Sequence, residues 1–320
     1  MVDDLLAHRT QNMGSSAIRE ILKLAAQPDI ISLGGGMPSP DAFPTQFIDE
    51  MYRKAMENYG TEALQYTRTE GFPPLRAALA EHLKKITIKA KPEEVFVTTG
   101  SQSVLDAMGK IMLSGGDVVA VEAPTYLGAL QAFNPYEPSY AQIETDEYGL
   151  IPESLEQVIE THRPKFAYLC PTFQNPTGRT LSLERRKQVA EIVRRTNTLI
   201  IEDDPYGALR FRGEWSPPIQ TFAPEQVLYT GSFSKVFAPG LRVGYYLAPE
   251  SIRQWLVIAK QGVDLNTSSL TQALCTEFIR GGYYDRHLPK IIEIYRPKQE
   301  VMLQEMSRHL PESFTWTQPD

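Results

Sequence analysis

Short apolar runs alternate with longer segments in which apolar residues recur every three or four positions, from about residue 72 to residue 248. Short apolar runs that end at turn residues predict buried strands, and the longer periodic segments predict amphipathic helices. The predicted strands are 95–99, 117–122, 139–144, 165–170, 198–203, 227–231 and 242–248. The predicted helices among them are 73–86, 100–113, 126–134, 152–161 and 182–195.

This alternation predicts an α/β fold with a mostly parallel sheet between helices. Several strands are apolar at every position, as in a sheet covered on both faces, and helical crossovers connect strands that run in parallel. Further helices are predicted at 14–26, 45–59, 249–280 and 283–309, and the final residues FTWTQPD (314–320) resemble a single strand.

Length, charge and cysteine content restrict the function class. A chain of 320 residues suggests about two domains. The net charge of −7, with both signs mixed along the chain, favours neither nucleic acid nor an anionic membrane as a partner. The chain has no apolar run of bilayer length and no secretory pattern at its start, and its two cysteines lie in apolar runs, so we expect a cytoplasmic protein. The five histidines lack metal-ligand spacing, so no metal site is predicted.

The stretch GSFSKVFAPGLRVG (231–244) contains the first chemical candidate, Lys235. It lies between two predicted strands, beside Ser232 and Ser234 and upstream of Arg242. Lysine is costly to bury, and a desolvated amine can form a Schiff base with an aldehyde such as pyridoxal phosphate (PLP). The serines and the arginine would then bind its phosphate. Taken alone, the stretch fits a surface lysine in a serine-rich turn equally well.

Two neighbouring strand ends carry residues suited to a phosphorylated ring, since ligands of such sheets bind at the carboxyl ends of strands. Ser101 and Gln102 open a helix after strand 95–99, where backbone N–H groups can bind phosphate, although an ordinary serine cap is the more common explanation. Tyr126 follows strand 117–122 and can stack on a planar cofactor or simply pack in the core.

Two further strand ends supply polar groups. Asn175 follows strand 165–170 in PTFQNPTG and can donate to a phenolate oxygen, or merely form a turn. Asp203 ends strand 198–203, where a carboxylate can pair with a protonated ring nitrogen, and Tyr206 can reach the same ring. The alternative is that Asp203 or Asp204 caps the following turn. We expect Asp203, rather than Asp204, to face the ring.

Together the segments GSQ, APTY, PTFQNPTG, EDDPY and GSFSKVFAPGLRVGY resemble the fold-type I PLP-dependent aminotransferases of class I/II. The resemblance is strongest to the 2-aminoadipate/kynurenine aminotransferase group and covers nearly the whole chain. It implies a fold-type I PLP-transferase fold, with a smaller domain built from both chain ends.

The resemblance also implies a role for each site residue. Lys235 would be the Schiff-base lysine, Asp203 the partner of the pyridine nitrogen and Tyr126 the stacking ring. Asn175 and Tyr206 would contact the phenolic oxygen. The implied phosphate ligands are Ser101, Gln102, Ser232, Ser234 and Arg242, with Tyr66 reaching the phosphate of the neighbouring subunit in a homodimer. The implied substrate-binding residues are Arg19, Gly36 and Asn175.

The implied domains are an N-terminal segment at the substrate entrance (1–44), a large PLP-binding domain (45–280) and the start of a small C-terminal domain (281–320). Family members continue past this point with the rest of the small domain, including an arginine for the substrate's α-carboxylate. The resemblance therefore implies that this part is missing from the sequence.

The implied activity is transfer of an amino group from an L-amino acid to a 2-oxo acid such as 2-oxoglutarate. The 2-aminoadipate/kynurenine group suggests donors of 2-aminoadipate, glutamate or aromatic type. The alternatives are another PLP reaction (a β-lyase or decarboxylase), a PLP-binding regulatory domain, or an inactive truncated domain. Too few residues precede the first family-like segment to hold a DNA-binding helix, which disfavours the regulator.

Overall fold

A computed structural model of the protein describes residues 5–14, 27, 29–34 and 36–320. Most of the predicted helix 14–26, with the proposed substrate residue Arg19, therefore lies outside the described residues. The described helices and strands follow the predicted order, with ends that differ by one or two residues at most positions.

The strands are β1 Phe96–Thr98, β2 Val118–Glu122, β3 Ser139–Ile143, β4 Thr145–Asp146, β5 Gly149–Leu150, β6 Phe166–Leu169, β7 Ile200–Asp203, β8 Val227–Ser232 and β9 Gly244–Leu247. The α-helices are α1 Thr45–Tyr59, α2 Pro73–Lys84, α3 Ser101–Met112, α4 Leu127–Phe133, α5 Pro152–His162, α6 Leu183–Thr196, α7 Glu250–Gln261, α8 Ser269–Arg280 and α9 Tyr283–His309.

Seven strands form one sheet in the order β1-β9-β8-β7-β6-β2-β3. The five strands β8, β7, β6, β2 and β3 are parallel, which confirms the predicted mostly parallel sheet. The short pair β4 and β5 forms a separate antiparallel hairpin. Five parallel strands bring five carboxyl ends to the same edge of the sheet.

Strand β9 runs antiparallel to both of its neighbours, β1 and β8. The connection from β8 to β9, residues 233–243, contains one short 3-10 turn (Pro239–Leu241) and no crossover helix. A parallel strand needs a crossover of a dozen or more residues, so a connection of this length returns the chain in the opposite direction. The stretch around Lys235 is therefore a turn between antiparallel strands.

Side chains alternate between the two faces of the sheet. The first face carries Val121, Tyr168, Ile201 and Leu228 and is covered by α3, α4 and α7. The second face is covered by α5 and α6 at one end and by α1, α2 and α8 at the other. Both faces are buried, as the continuous apolar strands predict.

The predicted helix 249–280 is wrong as a single helix, because the chain leaves helical geometry between α7 and α8. Leu265 in this break has a φ of 57°, a left-handed conformation that interrupts an α-helix. Ser268 then caps α8, its hydroxyl accepting a hydrogen bond from the backbone N–H of Thr271. The break places Asp264 and Thr267 beside Thr99, at the start of α3.

The predicted strand in the final residues is also wrong. Residues 311–320 contain no helix or strand and lie along the large sheet-containing body. The Thr317 hydroxyl donates to the carbonyl of Thr177 at 2.6 Å, and the Asp320 carbonyl accepts from the backbone N–H of Phe211 at 2.5 Å. The Thr317 hydroxyl and the Asp320 carbonyl are thus hydrogen-bonded to loops rather than to a neighbouring strand.

The described helices include none with the length and apolar character that crossing a bilayer requires.

Candidate active site

The carboxyl ends of β2, β6, β7 and β8 lie side by side, and the loops that follow them carry most of the residues singled out in the sequence. Asp203 is the last residue of β7, and Ser232 is the last residue of β8. Tyr126 and Asn175 lie in the loops after β2 and β6. Parallel pairing through this part of the sheet therefore gathers them at one edge.

Lys235 is a partly buried amine inside this group. Its Nζ donates a hydrogen bond to the carbonyl oxygen of Gly36 at 2.8 Å and lies 5.8 Å from the centroid of the Tyr206 ring. Burial lowers the pKa of the Lys235 amine, because the charged form loses hydration. The neutral, nucleophilic amine is therefore more abundant near neutral pH than for an exposed lysine.

Asp203 is buried, and its two carboxylate oxygens differ. Oδ2 accepts a hydrogen bond of 2.8 Å from the hydroxyl of Tyr168, whereas Oδ1 has no hydrogen-bond partner within the described residues. Burial raises the pKa of Asp203 to about 7, and the Tyr168 hydrogen bond acts in the opposite direction. A buried acceptor without a donor is costly, so Oδ1 is suited to a ligand that brings an N–H group.

The adjacent Asp204 has both oxygens bonded to the protein. Oδ2 accepts from the hydroxyl of Tyr229 at 3.1 Å, and Oδ1 accepts from the backbone N–H of Gly207 at 3.0 Å. Tyr229 packs on the second face of the sheet, whereas Tyr168 packs on the first. The alternation of side chains thus sends the two neighbouring aspartates in opposite directions.

Asn175 and Tyr206 meet across the loops after β6 and β7. The Asn175 amide Nδ2 donates to the Tyr206 hydroxyl at 3.4 Å. Burial raises the pKa of the Tyr206 phenol, so the hydroxyl stays protonated and can donate in turn. Two neutral donors therefore lie together near the Lys235 amine, where they can bind an anionic oxygen.

A cradle for an anion forms where α3 begins. Gly100 precedes this 12-residue helix with a φ of +77°, and a Cβ built on it would lie 2.5 Å from Nη2 of Arg242. The guanidinium of Arg242 thus lies directly against the first turn, whose N–H groups form the positive end of the helix. Ser232 and Ser234 are joined by a hydrogen bond between their hydroxyls at 3.0 Å.

Gly244 in β9 allows the close approach that aligns this cradle. A Cβ on Gly244 would lie 3.0 Å from the backbone nitrogen of Ser101 and 2.9 Å from the carbonyl carbon of Gly100. Only a residue without a side chain permits the strand to pack so tightly against the helix start. The Gln102 side chain donates to the carbonyl of Gly128 at 2.7 Å and so links α3 to α4.

Tyr126 lies at the start of α4 with its ring over Gly128. A Cβ at Gly128 would come within 2.3 Å of the Tyr126 Cζ, so glycine is needed for the ring to take this position. Burial raises the pKa of the Tyr126 phenol. The ring is partly buried and borders the same edge of the sheet as Asp203, whose charge adds to this pKa increase.

Tyr66 is separate from this cluster. Its side chain is 78% exposed, and its backbone N–H is bonded to the side chain of the preceding Gln65 at 2.9 Å. Gly36, by contrast, joins the site through its carbonyl and has a φ of +62°. Arg19 lies outside the described residues. Among the residues that the structure describes, no three histidine, cysteine or acidic side chains are grouped as metal ligands.

Sequence analysis did not single out Tyr168, although it touches the carboxylate of Asp203. Within KFAYLC a tyrosine fits an ordinary core position, and 1% of its surface is exposed. Side-chain alternation within one strand gives no signal for this contact, because the register that pairs Tyr168 with Ile201 is what places Tyr168 beside Asp203 on the same face of the sheet.

The sequence of this chain matches the family model "Aminotransferase class I and II" over residues 28–320. That range includes every strand of the site. The chain belongs to the class I and II aminotransferases. As a member of this family it is a PLP-dependent transaminase of fold type I, and its substrates are amino acids and 2-oxo acids.

Characterised relatives of this aminotransferase have long aligned regions. It is 42% identical to aromatic-amino-acid aminotransferase 1 of Thermococcus litoralis, over 98% of this chain and 77% of the relative. It is 41% identical to 2-aminoadipate transaminase of Thermus thermophilus, over 95% of this chain and 76% of the relative.

A solved structure agrees with the fold. The kynurenine aminotransferase of Pyrococcus horikoshii, in complex with PMP, KYN as substrates and KYA as products, superposes with a TM-score of 0.94 at 40% identity. The match covers 99% of this chain and 80% of that chain.

Proposed function

We propose that this aminotransferase moves the amino group of an L-amino acid with an aromatic or acidic side chain (aromatic, 2-aminoadipate or glutamate type) to a 2-oxo acid such as 2-oxoglutarate. The activities named for its relatives support this donor class. The assignment of the site is carried by two observations: the Lys235 amine is desolvated, and the buried Oδ1 of Asp203 has no donor among the residues that the structure describes.

The residues present suit PLP in three respects. The free Oδ1 of Asp203 can accept a hydrogen bond from a protonated ring nitrogen. The cradle between Gly100 and Arg242 leaves backbone N–H groups and a guanidinium for a phosphate. The Asn175 amide and the Tyr206 hydroxyl offer donors for a phenolic oxygen.

We therefore assign roles to the full set of residues. Lys235, Asp203 and Tyr206 are the catalytic residues, and Tyr126 stacks on the ring. The phosphate is bound by Ser101, Gln102, Ser232, Ser234 and Arg242, with Gln102 acting through its backbone because its side chain bonds α4. Substrate is bound by Arg19, Gly36 and Asn175.

Mechanism follows from the charge states of these groups. When bound, PLP supplies an aldehyde that condenses with amines and a protonated ring that accepts the electron pair left by the substrate's α-proton. Asp203 holds the proton on the ring nitrogen. With the cofactor bound, the Lys235 amine freed by the incoming amino acid would be the general base that takes the α-proton from the substrate Cα and delivers it to the cofactor carbon in the same half of the transfer. Burial lowers the pKa of this amine, so the neutral form that can act as the base is more abundant than for an exposed lysine.

The carbonyl of Gly36 has a place in the same scheme. It accepts a hydrogen bond from the free Lys235 amine at 2.8 Å, so it can hold this amine while the amine is not bonded to the cofactor. Gly36 adopts a φ of +62°, and no heavy atom of the described residues lies within 4 Å of the position that a Cβ would take. The space beside Gly36 is therefore open for part of a substrate.

The exposed position of Tyr66 supports a homodimer in which its hydroxyl reaches the phosphate of the neighbouring subunit. We further assign residues 1–44 to the substrate entrance, 45–280 to the large domain and 281–320 to the start of a small domain. The protein acts in the cytoplasm in this scheme. Sedimentation of the Tyr66→Phe variant tests the assembly, and its PLP affinity tests the contribution of the hydroxyl.

The donor class is tested with purified, PLP-loaded protein and a panel of amino acids at fixed 2-oxoglutarate, following glutamate formation. 2-Aminoadipate, kynurenine and phenylalanine should be the better donors, and glutamate is tested with phenylpyruvate as the acceptor. Alanine serves as the small-side-chain comparison and Lys235→Ala as the inactive control. Equal kcat/KM for alanine and the larger donors would contradict the proposed donor class. Product formation without glutamate, such as release of CO₂, would contradict amino transfer.

A further inference from the structure

Tyr168 lies within β6, fully inside the first face of the sheet, and is 1% exposed. Its hydroxyl donates to Oδ2 of Asp203 on the adjacent strand at 2.8 Å. The Tyr168 ring packs against Phe133 of α4 with ring centroids 6.2 Å apart. The hydroxyl is therefore held at the end of a rigid, packed side chain.

The surroundings of Asp203 make this contact unusual. Asp203 is 3% exposed, and neighbouring Asp204 raises the energy of its negative charge. Within the described residues, neither lysine nor arginine forms an ion pair with Asp203; the salt bridges of the described chain join other carboxylates. The Tyr168 hydroxyl is thus the protein donor that stabilises the ionised carboxylate among these residues.

We propose that Tyr168 is a positioning residue for amino transfer: its hydroxyl fixes Oδ2 of Asp203 and stabilises the ionised carboxylate, so that Oδ1 is left to accept a hydrogen bond from the protonated ring nitrogen of PLP. This inference rests on the role proposed above for Asp203. Tyr168 acts through Asp203 and has no contact with substrate in this scheme.

Loss of the hydroxyl has two physical consequences. The carboxylate gains freedom to rotate about its Cβ–Cγ bond, because nothing holds Oδ2. The ionised form also loses its donor in a buried site, where a hydrogen bond to a charged group is stronger than one between neutral groups. The proton then moves from the ring nitrogen towards the carboxylate, and the neutral ring accepts electrons poorly.

The test uses the full chain loaded with PLP that carries 15N at its ring nitrogen, observed by NMR across neutral pH. The 15N shift reports the ring proton directly, and it comes only from bound PLP and so from folded protein. The variants are Tyr168→Phe, Asp203→Asn and Tyr229→Phe. Tyr229 is the matched control. It is 2% exposed, lies in β8 on the other side of β7 from Tyr168, and its hydroxyl donates to Oδ2 of Asp204 at 3.1 Å.

Wild type and Tyr229→Phe should keep a protonated ring nitrogen, and Tyr168→Phe should shift towards the unprotonated signal of Asp203→Asn. The kcat of Tyr168→Phe should fall by about 10- to 100-fold, with KM changed by about threefold or less. In the Asp203→Asn background, the same substitution should lower kcat by less than about twofold, because the two residues act in series.

The outcomes separate this inference from the proposed function. If Asp203→Asn keeps the ring protonated, the role of Asp203 is wrong and this inference falls with it. If Asp203→Asn loses the ring proton but Tyr168→Phe keeps it, the inference alone is overturned. A shift of equal size in Tyr229→Phe would also overturn it, because any buried hydroxyl of the sheet would then suffice.

Discussion

The Gly100→Ala variant tests the phosphate cradle most sharply. The new methyl group would lie 2.5 Å from Nη2 and 3.0 Å from Cζ of Arg242, closer than carbon and nitrogen atoms approach each other in proteins. The guanidinium must therefore move away from the first turn of α3. Gly100 also has a φ of +77°, which an alanine adopts only with strain.

The backbone strain at residue 100 should change the free energy of unfolding, whereas the displacement of Arg242 should change the Kd for PLP. With φ 77° and ψ 162°, Gly100 has a backbone conformation essentially restricted to glycine, so an alanine there should lower the free energy of unfolding by about 1–3 kcal/mol. Displacement of Arg242 removes a charged hydrogen bond to phosphate, for which about 1.5–3 kcal/mol is typical. By the relation between free energy and affinity, this raises the Kd for PLP by about 10- to 150-fold.

The assay is a PLP titration of cofactor-free protein, followed by quenching of tryptophan fluorescence, with urea unfolding measured in parallel. Gly240→Ala is the matched control, because Gly240 lies two residues from Arg242 and has no heavy atom within 4 Å of its built Cβ. It should bind PLP like wild type. In an Arg242→Ala background, Gly100→Ala should cause little further loss of affinity.

A Gly100→Ala protein that binds PLP within about twofold of wild type would refute the argument. The guanidinium would then have no part in phosphate binding, or the helix start would bind phosphate unaided. A loss of affinity that persists in full without Arg242 would assign the effect to the backbone of the helix start.

Three further outcomes are expected. Borohydride should attach PLP covalently to wild type at Lys235, and Lys235→Ala should remain unlabelled by mass spectrometry; labelling of the variant at one site would reject the assignment. Asp203→Asn should retain PLP but lose about 10³-fold or more in kcat, and Asp204→Asn should lose far less. A larger loss of kcat in Asp204→Asn than in Asp203→Asn would show that Asp204 is the residue facing the ring. Burial raises the pKa of Glu122 from about 4.5 to about 8, so between these pH values the folded protein keeps the proton that the unfolded chain has lost. The free energy of unfolding should therefore fall as pH rises from about 4.5 to about 8. Unfolding of cofactor-free protein by urea should show wild type losing stability relative to Glu122→Gln by about 1.4 kcal/mol per pH unit in this range; parallel curves would contradict it.

Much of the fold was predictable because its strands are short apolar runs separated by turn residues. The end of β7 at Asp203 and the start of α3 after Gly100 follow from the same pattern. The direction of β9 was not assigned, since apolar content is the same for either direction and the length of the connection decides it. The break between α7 and α8 escaped notice because Leu265 is apolar and suits a helix by composition.

The site was predictable to the extent that parallel strands place their carboxyl ends together. Lys235, Asp203, Asn175 and Tyr206 are gathered on this principle alone. Side-chain contacts between neighbouring strands could not be predicted from the sequence, because they depend on the register in which the two strands pair. Tyr168 is the main example: its hydroxyl meets Asp203 only because β6 and β7 pair Tyr168 with Ile201.

Because Asp203 and Asp204 point in opposite directions, the position of a residue along β7 decides which of the two carboxylates faces the candidate site. Asp203 ends β7 and Asp204 follows it directly, so the alternation of side chains sends these two identical residues to opposite faces of the sheet. In the proposed site, Asp203 offers its Oδ1 to the cofactor, whereas Asp204 accepts a hydrogen bond from the backbone N–H of Gly207 in the turn that carries Tyr206. A single residue inserted into or deleted from this strand would exchange the two, even if the sheet re-formed intact. The proposed division of roles between the two aspartates therefore depends on the number of residues in β7 far more than on the lengths of the loops around the sheet.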